Sequence, residues 1–141
     1  MKRLMVFGFF FLLFQFSNAQ NKVTAEVENF KSNNGICQAC IFQSASAFEK
    51  MEALQCINAI VKDKRAVVTF SGLADGDYAI FVFHDVNRNN KMDNNFFGIP
   101  KEGYGASKNK LPFASAPKFA ENKFVLSNNS TVQLKIRLRN L

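Results

Sequence analysis

Phe70-Ser71-Gly72-Leu73-Ala74-Asp75-Gly76-Asp77-Tyr78-Ala79-Ile80-Phe81-Val82-Phe83-His84-Asp85 is the stretch that decides the fold. Gly72, Asp75, Gly76 and Asp77 crowd one half of it, which is turn chemistry. Residues 78–84 are then apolar at nearly every position. Successive side chains of a strand point to opposite faces. A run that is apolar on both faces therefore needs a cover on each side, as a central strand has.

The flanking periods are simpler. Residues 22–29 alternate, with Val23, Ala25 and Val27 on one face and Thr24, Glu26 and Glu28 on the other, which predicts a half-buried strand. Asn33-Asn34-Gly35 marks a turn into a second strand over 36–43. Ser44 followed by Phe48, Met51 and Glu52 at helical spacings predicts a short helix within 44–54. Residues 56–62 fit a weak edge strand, 65–70 a strand, and 71–77 a turn. Residues 124–126 are extended, and 131–138 alternate strictly, with Val132, Leu134, Ile136 and Leu138 inward. Residues 85–120 hold no sustained period. The expected fold is mainly β: one antiparallel Ig-like sandwich of about seven strands, one short helix and a long 85–120 connection.

The chain begins with Lys2 and Arg3, an apolar run over 4–16 broken only by Gly8 and Gln15, and the small residues Ser17-Asn18-Ala19. That order predicts a secretory signal peptide over residues 1–19, cut before Gln20. The apolar run is shorter than the ~20 residues needed to span a bilayer, and the residue directly after the cut is Gln20, not a Cys that could carry a lipid. The remaining 122 residues suit one domain over 20–141. The expected location is periplasmic or secreted, with no transmembrane segment once the leader is removed. The whole chain carries a net charge of +7, and 16 basic residues face 11 acidic ones after the leader. They are scattered, which points to a solvated surface and away from nucleic acid as a partner. A protein or small-molecule ligand is the expected partner.

Cys37, Cys40 and Cys56 follow the leader. Export permits disulfides, but an odd count leaves one thiol over. Cys37-x-x-Cys40 lies in the strand over 36–43, where positions three apart are about 10 Å apart and face opposite ways. That geometry excludes a bond between them. A redox role also wants a helix after the motif, and a zinc site a second ligand pair. A Cys40–Cys56 bridge stays open.

The residues Phe70-Ser-Gly-Leu-Ala-Asp-Gly-Asp-Tyr-Ala-Ile80 resemble the F-x-x-L-x-x-G-x-Y signature of prealbumin-like (transthyretin-like) sandwich domains. Extended through His84-Asp85-Val-Asn-Arg-Asn-Asn-Lys-Met-Asp93 and Gly98-Ile-Pro-Lys-Glu-Gly-Tyr-Gly-Ala-Ser107, the chain resembles a family of small exported bacterial proteins, domain of unknown function 2141. The resemblance covers nearly all of the chain after the leader. It implies a prealbumin-like sandwich and export, and it brings no activity with it. Relatives often carry Glu or Gly where this chain has Val86, Arg88 and Asn90.

The loop after residue 84 is the one place that suggests specific chemistry. Asp85, Asn87 and Asn89 stand at alternate positions, then Lys91 with its carbonyl, then Asp93. Oxygens so spaced converge on Ca2+ in EF-hand-like loops. Asn90 stands where Gly is usual and tolerates left-handed geometry better than most residues. Phe96 stands where the closing Glu is expected, and Glu102 replaces it only if the chain folds back. The same Asp and Asn residues also make Asx-turns without any metal, and both readings stand. Calcium affinity at two assured carboxylates would be modest.

His84, the single His, is expected as a hydrogen-bonded core residue. A second reading joins it with Asp85, Glu102 and Tyr104 as an acid–base cluster. Ser107 has no nucleophile-elbow context, and the His and Arg motifs of hydroxyisourate hydrolase have no match. Phe96, Phe97 and Phe113 are expected as core lids; exposed, they would instead mark a recognition patch. The functional expectation is an exported non-catalytic binding or accessory module whose loop at 85–93 is stabilised by calcium or by Asx-turns. The alternative is a small periplasmic hydrolase or lyase using His84, Asp85, Glu102 and Tyr104.

Overall fold

The structure is a computed structural model that describes residues 20–141, so the leader expected over residues 1–19 lies outside the described residues. Strands β1 (Asn21–Glu28) and β2 (Ile36–Phe42) precede helix α1 (Ala45–Glu49). Strands β3 (Gln55–Ile60), β4 (Arg65–Leu73), β5 (Gly76–Asp85) and β6 (Tyr104–Ala106) follow. Helix α2 (Phe119–Asn122), β7 (Phe124–Leu126) and β8 (Thr131–Arg137) complete the order. One sheet runs β4-β1-β8, with β1 antiparallel to β4 and parallel to β8. The other runs β3-β2-β5-β6, all antiparallel, with β7 paired to the first residues of β5. The described residues thus form a β-sandwich of eight strands with two short helices.

Alternation decides what goes inside. Val23, Ala25 and Val27 of β1, Val68 and Phe70 of β4, and Ile136 of β8 meet Ala39, Ile41, Ile80 and Val82 between the sheets. The opposite face of β5 carries Ala79, Phe81 and Phe83, and it is also buried. There Cys40, Phe42, Phe48 and Tyr104 pack with them, and Met92, Leu111 and Phe119 close the cluster. Strand β5 is therefore central in depth as well as in the sheet. Its second cover is not a sheet but α1, α2 and parts of the long connection. Ser44 caps α1 by accepting from the Ala47 N–H at 3.1 Å.

Beyond an eighth strand, a second helix and the parallel β1–β8 pair, three details differ from the expectation of an antiparallel sandwich. Residues 71–73 belong to β4 rather than to a turn. Gly72 takes φ +70° and the pairing slips between Asn21 and Val23, so the glycine makes a bulge within the strand. The 85–120 connection is not one loop, because β6 and α2 lie inside or at its end. Strand β6 is three residues long and takes its register from β5, Phe81 facing Ala106 and Phe83 facing Tyr104. Gly105 is required there: a Cβ would lie 2.8 Å from Ile136 Cγ2 and 3.3 Å from Val82 Cγ2. Finally, Phe96, Phe97 and Phe113 are not core lids but stand almost fully in solvent.

The signature residues of the opening stretch have one task each. Phe70, Leu73 and Tyr78 are buried, and the Tyr78 hydroxyl donates to the Ala74 carbonyl at 2.9 Å across the β4–β5 turn. A tyrosine bonded to backbone a few residues upstream is the corner device of Greek-key sandwiches. Burial and the nearby Asp75 raise the Tyr78 pKa above its usual 10.0. The unfolded tyrosine then ionises first, so its contribution is full below pH ~10 and is lost as pH rises through the folded value.

Cys40 and Cys56 stand directly opposite in the β2–β3 ladder, Cα atoms 4.1 Å apart, and are bridged. Cys37 faces the other way, into the core, as a free thiol that burial pushes up to about 12. Native protein should therefore show no thiol reactive at pH 8, and one after denaturation. Reducing the bridge, or C40A/C56A, should cost about 3 kcal/mol in a urea melt, since it closes a loop of moderate length. Y78F should cost about 1 kcal/mol and flatten the stability loss above pH ~10.

Candidate functional site

Strand β5 ends at Asp85, whose side chain is fully buried. Its carboxylate enters none of the ion pairs among the described residues and bonds instead to the backbone that follows. Oδ1 accepts from the Asn89 N–H at 3.1 Å and Oδ2 from the Asn90 N–H at 2.7 Å. The Asn87 Oδ1 accepts from the Asn89 N–H at 3.2 Å, and the Asn89 Oδ1 from the Lys91 N–H at 2.9 Å. These are Asx-turns in series. They wind the chain tightly enough that Arg88 and Asn90 take φ +59° and +58°. The left-handed geometry expected at Asn90 is there, and Arg88 shares it at some steric cost.

The far end closes by charge. The Asn87 and Asn89 amide groups donate to Asp93 Oδ2 and Oδ1 at 2.7 and 3.0 Å. Glu102 folds back over the loop and ties its two ends. Its Oε1 accepts from the Val86 N–H at 3.0 Å and its Oε2 from the Asp93 N–H at 3.1 Å. Glu102 is itself buried and lies two residues before the start of β6. Lys91 gives its N–H to the winding and stands exposed.

Asp85, Asp93 and Glu102 take part in none of the ion pairs among the described residues, which are Arg65–Glu26, Lys123–Asp77 and Arg137–Glu28. Three carboxylates thus share one loop with amide donors alone. No three His, Cys, Asp or Glu side chains among the described residues converge closely enough to hold a metal as they stand. The donor set suited to a hard cation is two Asp, the Asn87 and Asn89 amide oxygens and, through closure, Glu102.

The acid–base cluster is only half assembled. Asp85 and Glu102 meet through the loop amides, but His84 projects to the opposite face of β5. Its Nε2–H donates to the Asn34 carbonyl at 2.6 Å, and its ring meets Phe30 edge-on at 5.0 Å. It is the buried, hydrogen-bonded histidine expected. Tyr104 pairs with Phe83 and stacks on Phe81 at 6.1 Å, so it lies on the other face of the sheet from His84. Two surface depressions, one lined by Lys110, Leu111, Pro112 and Glu121 and one by residues including Asn109, Arg137 and Arg139, have none of the four in their lining.

Two buried hydrogen-bonding roles escaped the sequence reading. Asn122 is fully buried, and its amide bonds the backbone of Lys108, Lys110 and Lys118. Ser107 is buried beside it, donating to the Asn122 carbonyl at 2.6 Å and accepting from the Ile80 N–H at 3.0 Å. A lone Asn or Ser in an aperiodic stretch carries no signal of burial. Gly35 is equally constrained: with φ +76°, a Cβ there would run into the Asp85 carbonyl and the Val86 backbone.

E102A should destabilise the protein by about 2–4 kcal/mol in urea, because it orphans two backbone donors that a charged acceptor satisfies. E102Q, which keeps one amide oxygen, should cost less. G35A should cost at least as much as E102A, and a cost of under ~0.5 kcal/mol for either alanine would contradict this account of the loop.

No curated protein and no solved structure matches the chain. The profile of a family described as "uncharacterized protein conserved in bacteria" matches residues 25–133, from within β1 to within β8. With most of the sandwich and all of the Asp85 loop inside the matched span, the chain belongs to that family, DUF2141.

Proposed function

We propose that this protein is an exported, non-catalytic binding or accessory module of prealbumin-like type, whose long connection is fixed by Ca2+ at residues 85–93. The observation that carries the metal reading is the loop's charge. Asp85, Asp93 and Glu102 share one loop and none of them enters an ion pair among the described residues, in a chain whose net charge is +7. Carboxylates held this way repel one another, and a divalent cation is the simplest counter-charge. Asp85, Asn87, Asn89 and Asp93 would supply side-chain oxygens, Lys91 a carbonyl, and Glu102 the closing carboxylate. The amides of Asn87 and Asn89 now spend their N–H groups on Asp93. Metal binding would exchange those bonds for coordination.

Export is supported by the leader-like residues 1–19 and by the Cys40–Cys56 bridge, since structural disulfides are common in oxidising compartments and rare in the cytosol. The prealbumin-like type is supported by the buried Phe70, Leu73 and Tyr78 and by the tyrosine corner. The non-catalytic reading is favoured over a hydrolase or lyase because His84 and Tyr104 occupy opposite faces of one sheet. Acid–base work needs hydrogen-bond reach among its groups.

Calorimetric titration of chelator-treated protein should give a single site with Kd of about 10⁻⁴–10⁻³ M. At 10 mM Ca2+ the protein should be stabilised by roughly 1.4–2.7 kcal/mol over chelator. D93N should remove the response while leaving the metal-free fold close to intact, since an amide oxygen still accepts there. No heat and no melting shift up to 10 mM, about tenfold the weaker Kd, would sink the calcium reading.

A further inference from the structure

The segment beyond Asp93 turns the loop outward. The Asn94–Pro100 bridge closes the neck of a small hairpin, and Lys101 N–H donates to the Asp93 carbonyl at 2.8 Å. Asn95 locks the tip: its Oδ1 accepts from the Phe97 and Ile99 N–H groups at 2.9 and 3.0 Å. Its own N–H donates to the Ile99 carbonyl at 2.8 Å. Gly98 turns the chain at φ +75°. At the summit Phe96 is 97 % exposed and Phe97 82 %, with Ile99 about half exposed. The two rings meet edge to face, centroids 5.6 Å apart. Large apolar rings held out by a hydrogen-bonded turn are costly in water and need an occupant.

The charges that flank the tip in sequence select that occupant. Over residues 86–101 the exposed charged groups are Arg88, Lys91 and Lys101, all positive, while the acids of the loop are half-buried or buried inside it. The apolar summit is convex and small, roughly 400 Å² for its rings. A stable protein interface needs about 800 Å² from each partner. A protein would also have to offer a matching pocket, whereas a bilayer interface deforms around a wedge. We infer that the Phe96-Phe97-Gly98-Ile99 tip inserts into an anionic lipid surface, with Arg88, Lys91 and Lys101 on the headgroups. The hairpin's own hydrogen bonds hold it, so the inference goes beyond the calcium site and does not require it.

The chain has no Trp, so F97W supplies a single reporter. Full-length protein and variants, recovered from an oxidising host compartment, are mixed with vesicles of phosphatidylcholine containing about 30 % phosphatidylglycerol, or of phosphatidylcholine alone. Residues 1–19, processed or not, are common to every variant and cancel in the comparison. The expected result is a blue shift of F97W emission and sedimentation with anionic vesicles, at least tenfold weaker with neutral ones. F96S/F97S should lower binding at least about tenfold, and R88Q/K91Q/K101Q by more than tenfold at low salt, at about fivefold per charge. Both sets lie on the surface, and an unchanged thermal melt verifies the fold. Running every arm in chelator and in calcium separates the two claims: failure to bind calcium leaves this result unchanged. Absence of vesicle binding, or binding that F96S/F97S does not weaken, overturns the inference. So does self-association abolished by F96S/F97S in protein that ignores vesicles, which would assign the tip to a second copy.

Discussion

Strand β5 carries apolar side chains on both faces, and both must leave water. One face is covered by the second sheet, where Ile80 and Val82 meet Val23, Ala25 and Val27. The other is covered by Phe48 of α1, Phe119 of α2, and Met92 and Leu111 of the long connection. A sandwich needs only the first cover. The second obliges the chain after β5 to return over the sheet, and that return shapes everything from Asp85 to Asn122. Each buried aromatic contributes about 1.5–3 kcal/mol, so the Phe42, Phe48, Phe81 and Phe83 cluster weighs heavily in the fold.

The return begins with a polar problem. Backbone leaving a sheet loses its ladder partners, and its N–H groups must find others. Asp85, Asn87 and Asn89 answer from within the segment, and Glu102 answers from its far end. The same solution recurs nearer the C-terminus, where Asn122 satisfies the backbone of Lys108, Lys110 and Lys118. A connection of this length would otherwise be floppy. Here it is ordered by buried side-chain oxygens, and the hairpin it projects is correspondingly rigid.

Much of this was legible in the sequence, and the misses have physical causes. The strands over 22–29 and 131–138 show clean alternation because one face meets the core and the other water. Residues 78–84 show none, which correctly marked the central strand. Strand β6 was invisible because Tyr104-Gly105-Ala106 is too short for a period and its register is imposed by β5. Gly72 read as a turn because a bulge and a turn use the same residue. Phe96, Phe97 and Phe113 read as core because composition cannot tell a buried ring from a displayed one. At the site, Asp85 to Asp93 stood out through spacing, while Glu102 was named only conditionally. Its role depends on a chain reversal that local sequence does not encode.

The sequence by itself determined the mainly β class, the central place of residues 78–84, the buried histidine and the oxygen-rich loop, because each is written in nearest-neighbour periodicity or spacing. Tertiary structure alone decided three matters. It set Cys40 against Cys56 through strand register. It placed His84 and Tyr104 on opposite faces of one sheet. It brought Glu102 back onto the Val86 and Asp93 amides while leaving Phe96 and Phe97 in water. Each depends on residues distant in the chain, whose meeting is fixed by how two sheets and a covering connection share the same buried strand.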